Sequence, residues 1–581
     1  MCGIIGYVGK RNITEVLLDG LKALEYRGYD SAGIALLNKE KVQIIKSVGR
    51  ISNLEEKINK EKIIDSNIGI AHTRWATHGG VTEDNAHPHK VNRVTIVHNG
   101  IIENAKELKE KLITDGYKFN SETDSEVVAA LIDYYYDKDP SKAIEKAISE
   151  LKGSYALGII FDDQNKLYAT RCESPLILGV ADHEYFIASD IGAILKYTKD
   201  YVLLGKDEII TIDYNGYSIT KDGKNVNRQV LKSELSEEST SKQGYDHYMM
   251  KEIMEEPVLI DNLINKYAKN LDEIPDISKY DHVHIVGCGS AYYTGMIGKY
   301  LFEEDGIKTD VEVASEYRYR NIIYEDNTLV ILISQSGETA DTIAALRKAN
   351  EANQDTLAIV NVDGSTIARE SKYKILIEAG REIAVATTKA FILQTLILSI
   401  MSYKIKQDKD YLEDLYKLPS MLKILLDKTG YFKKIADLVY KQENVFFIGR
   451  RIDYAISLEG SLKLKEISYI HSEAYQAGEL KHGTISLIND GTVVFGILTD
   501  DETYDKTLSN LEEVISRGAN PIYISTKDKD FENKIIIPKI NNKLQPLLVV
   551  PVLQLIAYFV AVKRNCDIDK PKNLAKSVTV E

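Results

Sequence analysis

The chain has 581 residues, 44% hydrophobic and 28% charged, with a formal net charge of −14. That length exceeds one core and implies about three or four domains of ordinary globular composition. The acidic balance argues against a nucleic-acid or anionic-membrane surface as the main business of the chain. Its four cysteines, Cys2, Cys172, Cys288 and Cys566, lie far apart without metal-ligand spacing. This predicts a reducing, cytoplasmic compartment, with no disulfide framework and no metal site.

The chain opens MCGIIGYVG. A small second residue lets the methionine be removed, which would leave Cys2 with a thiol and a free α-amine on one residue. Such an amine titrates near pH ~8 and can serve as the base that activates a nucleophile. The plainer alternative is a buried cysteine at the start of the first strand. No basic start, long apolar run or cleavage site marks a signal peptide here.

From residue 2 to about 225 the sequence is rich in short strands, among them IIGYV, GIALL, VQIIK, GIAH, RVTIVHNG and SYALGIIF, with helices expected over 13–24, 104–114 and 125–136. Many strands with few helices predict antiparallel sheets covered by helices. Three stretches carry polar groups suited to chemistry. In AHTRWATHG, Arg74 offers a planar fork for a carboxylate, and Thr77 and His78 add small donors. In VHNGIIEN, Asn99 and Gly100 could supply an amide and a backbone N–H to an oxyanion, or form a hairpin turn. In SETDSE, Asp124 could pair with a substrate amine, or cap a helix. Residues 226–246 turn polar, without apolar periodicity, and read as a linker.

The remainder alternates apolar strands with helices, which predicts parallel sheets. It also repeats: HVHIVGCGSAYYTG answers NVFFIGRRIDYAIS, and TLVILISQSGET answers GTVVFGILTDDET. Two doubly wound units are expected, over 247–425 and 426–570, followed by a tail, 571–581. The hydroxyl-rich SQSGET loop follows a strand and opens a helix, a place that favours phosphate. Glu459, Lys463 and Glu466 fall at i, i+4 and i+7 on one helix face. They suit either an exposed salt-bridged stripe or a carboxylate base held beside an ammonium. The apolar run 546–562 is short for a membrane span. It reads as a buried helix with Pro551 in its first turn and Lys563 and Arg564 at its end.

Taken in order, MCGIIGYVG, EYRGYDSAGIA, AHTRWATHG, HNGIIEN, SETDSE, SQSGET and the tail NLAKSVTVE resemble the glutamine–fructose-6-phosphate aminotransferase (isomerizing) family over essentially the full chain. The resemblance implies an N-terminal-nucleophile αββα glutaminase sandwich followed by two sugar-isomerase units of α/β type. It implies Cys2 as nucleophile, Asn99 and Gly100 as oxyanion donors, and Arg74, Thr77, His78 and Asp124 as the grip on glutamine. Trp75, the single tryptophan, would gate the passage of ammonia. For the sugar phosphate it implies Ser290, Ser334, Gln335, Ser336, Thr339, Val385, Glu459 and Lys463. Glu466 would move the proton, His482 of a second subunit would open the ring, and Lys576 would engage the open-chain ketose. The expected substrates are glutamine and fructose 6-phosphate, with no cofactor, no membrane or nucleic-acid partner, and a homodimer as the assembly.

Three positions depart from the family pattern: Ala291 in the sugar loop, Thr484 after KHG, and Arg451 in place of a glycine. The rival expectations are a related aminotransferase or deglycase acting on another sugar phosphate, and a non-catalytic sugar-phosphate sensor.

Overall fold

The computed structural model describes residues 2–38, 41–76, 79–233 and 241–579. Its internal packing divides it into two units, Met1–Ser241 with Ser577–Glu581, and Lys242–Lys576.

In the first unit two antiparallel sheets form the middle layers. The eight-stranded sheet runs, in spatial order, Val230–Lys232, Asp200–Leu203, Ile177–Ala181, Glu184–Ala188, Gly3–Val8, Ile68–Arg74, Ser31–Asn38 and Lys41–Val48. The seven-stranded sheet runs Lys224–Asn225, Gly216–Lys221, Ile209–Asp213, Leu167–Cys172, Gly153–Phe161, Val94–Ile102 and His89–Val91. Strand Gly3–Val8 explains the layering. Its side chains alternate faces, so Ile5 and Tyr7 join a core with the helices. Ile4 and Val8 join the core between the sheets, with Ile70, Val97 and Ile160.

Helix Ile13–Leu24 covers the first sheet. Its buried Ile13, Val16, Leu17, Gly20, Leu21 and Leu24 make one apolar stripe, and Asn12 caps the Glu15 N–H. Helices Ala105–Thr114, Asp124–Tyr134 and Pro140–Glu150 cover the other sheet. The result is the expected helix–sheet–sheet–helix stack. Two helices, Ile51–Lys60 and Pro140–Glu150, stand outside the sequence expectation. Val230–Lys232, inside the stretch read as linker, is an edge strand paired with Asp200–Leu203.

The second unit holds two five-stranded parallel sheets. One runs Thr309–Val313, His282–Gly287, Thr328–Ser334, Asp355–Val360, Tyr373–Leu376; the other runs His471–Gln476, Asn444–Gly449, Val493–Leu498, Asn520–Ser525, Lys534–Ile536. Each places its first strand between its second and third, which makes a topological switch point at the carboxyl ends of the first and third strands. The two repeats share one apolar core with helices Lys389–Lys406 and Pro546–Lys563. The latter is long and apolar enough to cross a membrane, yet 94% of its apolar window is buried within the protein, as expected of a core helix. The expected start is corrected: Pro546 occupies the first turn and Pro551 lies inside the helix. The earlier proline takes the position where a missing N–H costs nothing.

The strand registers align the repeats residue by residue. Gly287 and Gly449 end the first strands. Gly289 (φ 55°, ψ −126°) and Arg451 (φ 50°, ψ −122°) then share one glycine-type conformation. Holding an arginine there costs about 1–3 kcal/mol. Arg451 is anchored by ion pairs to Glu304 at 2.6 Å, to Asp500 at 3.3 Å, and to Glu502. In the same alignment 335–339 answers 499–503, and Ala291 answers Asp453. The Asp453 carboxylate accepts the N–H groups of Thr499 at 2.8 Å and Asp500 at 3.0 Å, and the Thr499 hydroxyl at 2.5 Å.

Candidate active sites

Cys2 precedes strand Gly3–Val8, which lies beside Ile68–Arg74 in antiparallel register. That pairing brings the thiol to Trp75. The Trp75 N–H donates to Cys2 Sγ at 3.3 Å, and the thiol faces the Trp75 carbonyl at 3.6 Å. Burial pushes the thiol above its usual pKa, with the Trp75 amide and Arg74 pulling the other way. Close approach is built into the neighbouring chain: a Cβ on Gly28 would sit 2.7 Å from the backbone of Arg74 and Trp75. Asp30 accepts the Ala76 N–H at 2.8 Å.

Asn99 and Gly100 lie inside strand Val94–Ile102, not in a turn. Asn99 Nδ2 donates to the Cys2 carbonyl at 3.0 Å. Gly100 has φ 132°, and a Cβ there would lie 2.0 Å from the Ser154 carbonyl oxygen, so no other residue fits. Asp124 opens helix Asp124–Tyr134 while Thr123 caps it. One Asp124 oxygen accepts the Ile102 N–H at 2.8 Å, and the carboxylate acts on the Arg74 guanidinium. Arg74 is buried and donates to the carbonyls of Gly80 at 3.1 Å and Gly79 at 3.3 Å. Trp75 is half-buried. Thr77 and His78 lie outside the described residues.

In the second unit a cavity of about 150 Å³ opens at the switch point of the first sheet. Ser290, Ser334, Gln335, Ser336, Thr339, Val385, Lys463, Glu466 and Lys576 all line it. The loop is preorganised: Ser334 Oγ accepts the Gly337 N–H at 3.1 Å and meets the Thr339 hydroxyl at 3.0 Å. It ends at the N-terminus of helix Ala340–Glu351, whose dipole favours an anion.

The stripe on helix Ile452–Ser468 is buried, not solvated. Lys463 lies 2.6 Å from Glu466 and 3.5 Å from Glu459, and Ser290 Oγ donates to Glu459 at 3.1 Å. Burial lifts Glu459 to about 7 against the attraction of Lys463. Burial alone would lower the Lys463 ammonium, but Glu459 and Glu466 outweigh it and hold it above its usual value. Lys576 reaches the cavity from the tail with its ammonium ion-paired to Glu382, and both side chains are buried. His482 is exposed in the turn Leu480–His482 and does not line the cavity.

A glutamine amidotransferase domain model matches residues 72–196, and a SIS domain model matches 276–402 and 438–564. The glutamine–fructose-6-phosphate aminotransferase (isomerizing) of Clostridium tetani is 46% identical, with 100% of each chain covered. That of Methanosarcina acetivorans is 43% identical over the same full span. The chain belongs to the glutamine–fructose-6-phosphate aminotransferase (isomerizing) family.

Among solved structures, the C-terminal domain of the Francisella tularensis glucosamine-fructose-6-phosphate aminotransferase is 38% identical. It covers 57% of this chain and 100% of its own, with a TM-score of 0.54. A glucosamine-6-phosphate deaminase from Thermotoga maritima is 27% identical over 58% of this chain and 100% of its own, with a TM-score of 0.51. Sequence reasoning missed Gly28, Asp30, His72 and Glu382, which line or brace these sites. Their signals were a glycine and an acid inside EYRGYD, a histidine two residues before Arg74, and a glutamate three residues before Val385.

Proposed function

We propose that the protein transfers the amide nitrogen of L-glutamine to D-fructose 6-phosphate, with ketose-to-aldose isomerisation, giving D-glucosamine 6-phosphate and L-glutamate. The observation that carries it is the single cavity where a preorganised phosphate loop, the Lys463–Glu466 pair and Lys576 converge. A buried thiol needs a base. The α-amine of Cys2, freed by methionine removal, takes its proton as sulfur adds to the amide carbon. Asn99 and Gly100 donate to the oxyanion, Arg74 takes the glutamine carboxylate, and Asp124 its amine; Thr77 and His78 complete that grip. Ammonia leaves, and water then cleaves the thioester to glutamate. Trp75 restrains the escape of ammonia to solvent.

Ser334, Gln335, Ser336 and Thr339 hold the phosphate, with Ser290 and Val385 against the sugar. His482 of a second subunit opens the ring, which makes the working form a homodimer. Lys576 gives up its proton and adds to C2 of the open ketose with loss of water. Ammonia displaces the lysine, and Glu466 takes a proton from C1 while C2 receives one. Glu459 and Lys463 set the charge around that carboxylate. The substrates and product are soluble metabolites, and we place the enzyme in the cytoplasm.

The test is incubation with glutamine and fructose 6-phosphate, with detection of both products. Equimolar glutamate and glucosamine 6-phosphate are expected; glutamate without amino sugar would overturn the assignment.

A further inference from the structure

Four histidines, His72, His87, His89 and His98, are buried in the first unit, and the chemistry above uses none of them. His72 Nε2 lies 3.0 Å from the His98 carbonyl oxygen and 3.0 Å from Asn99 Oδ1. A carbonyl oxygen only accepts, so Nε2 carries the proton and donates to both. On its other side the Asn99 amide donates through Nδ2 to the Cys2 carbonyl at 3.0 Å. That partner also only accepts.

The amide is therefore fixed from two ends. Turning it by half a rotation would set Nδ2 against the His72 N–H, and Oδ1 against the Cys2 carbonyl. Two attractive contacts would become two repulsive ones. The histidine ring is itself held in place. It stacks on His87 with ring centres 4.0 Å apart, and its Nδ1 is buried with no hydrogen-bond partner among the described residues. No competing bond swings the ring away. Burial lowers His72 to about 3, so the neutral ring persists across the working range of pH.

We propose that His72 is a positioning residue for glutamine hydrolysis: its Nε2–H locks the Asn99 amide so that an N–H, never the amide oxygen, meets the oxyanion. This rests on Asn99 as an oxyanion donor. Removing one such donor typically costs 10²–10³-fold in kcat, which sets the ceiling for losing its orientation.

The experiment measures glutamate release by the full-length protein carrying His72→Phe, His72→Gln, Asn99→Ala and the double change His72→Phe/Asn99→Ala. His72→Phe keeps the ring but cannot donate. It should lower kcat about tenfold to a hundredfold, with the KM for glutamine within about twofold. His72→Gln places an amide N–H near the same point and should recover most of that loss. The double change should be no slower than Asn99→Ala alone, because the lock has nothing left to hold. An unchanged kcat in His72→Phe, a loss in the double change equal to the product of the two single losses, or no recovery in His72→Gln would overturn the role of His72. If Asn99→Ala hydrolyses glutamine at the parent rate, Asn99 is not the oxyanion donor, and the proposal falls with it.

Discussion

A thiol lifted by burial is a poor nucleophile until a base takes its proton, and Cys2 is such a thiol. Cys2→Ser should therefore lose glutamine hydrolysis by several powers of ten, measured as glutamate release. Burial has a second consequence in the same unit. His72, His87, His89 and His98 all titrate below the ordinary histidine value because they are desolvated. The unfolded chain thus binds more protons than the folded one below pH ~6.5, so stability falls as pH falls through that value. Each histidine contributes about 1.4 kcal/mol per pH unit below it, and for His72 the loss levels off near its folded value of about 3. Urea denaturation followed by Trp75, the single tryptophan, should show a lower midpoint at pH 5.5 than at pH 7.5. Equal midpoints would contradict buried neutral histidines.

Helix Ile452–Ser468 shows what spacing conveys and what it leaves open. The i, i+4, i+7 pattern placed Glu459, Lys463 and Glu466 on one face, but not which way that face points. Burial decides it: Lys463 is 1% exposed and Glu459 fully buried. Removing the central cation leaves buried carboxylates uncompensated, which costs about 3–5 kcal/mol. Lys463→Ala should lower the thermal midpoint of the second unit and abolish amino-sugar formation. An unchanged midpoint in calorimetry would mean that water already reaches the pair.

Other elements were legible for similar reasons. Alternating apolar runs revealed the strands, and the duplicated strand–turn–helix strings revealed the two parallel sheets. Helices Ile51–Lys60 and Pro140–Glu150 escaped because each buries only a few side chains amid charged neighbours, although Asp139 caps the second and Pro140 starts it. Short edge strands escaped because pairing, not propensity, makes them. The SQSGET loop could be placed after a strand and before a helix by its sequence alone, whereas Glu382, against Lys576, comes from far away in sequence and carries no local signature.

At the scale of the whole molecule, two chemistries share one chain and should separate under mutation. Lys576→Ala should abolish glucosamine 6-phosphate formation while glutamate release persists, and Lys572→Ala, four residues upstream, should matter much less. Both products would be assayed on the same preparations; amino sugar at the parent rate from Lys576→Ala would remove that lysine from the mechanism. The duplicated sheets carry a further consequence. In the second repeat the amides of Thr499 and Asp500, which answer positions 335 and 336, donate to Asp453, and Arg451 pairs with Asp500 and Glu502 beside them. In the first repeat the matching side chain is Ala291, which has no oxygen with which to accept those hydrogen bonds. One copy of the loop is thus closed by a carboxylate of the chain itself, and the other copy lacks that side chain. The architecture is doubled, and one sugar-phosphate site per chain is the expected outcome. Equilibrium titration with fructose 6-phosphate should saturate at one equivalent per chain, and a second equivalent of similar affinity would show that Asp453 yields to the sugar.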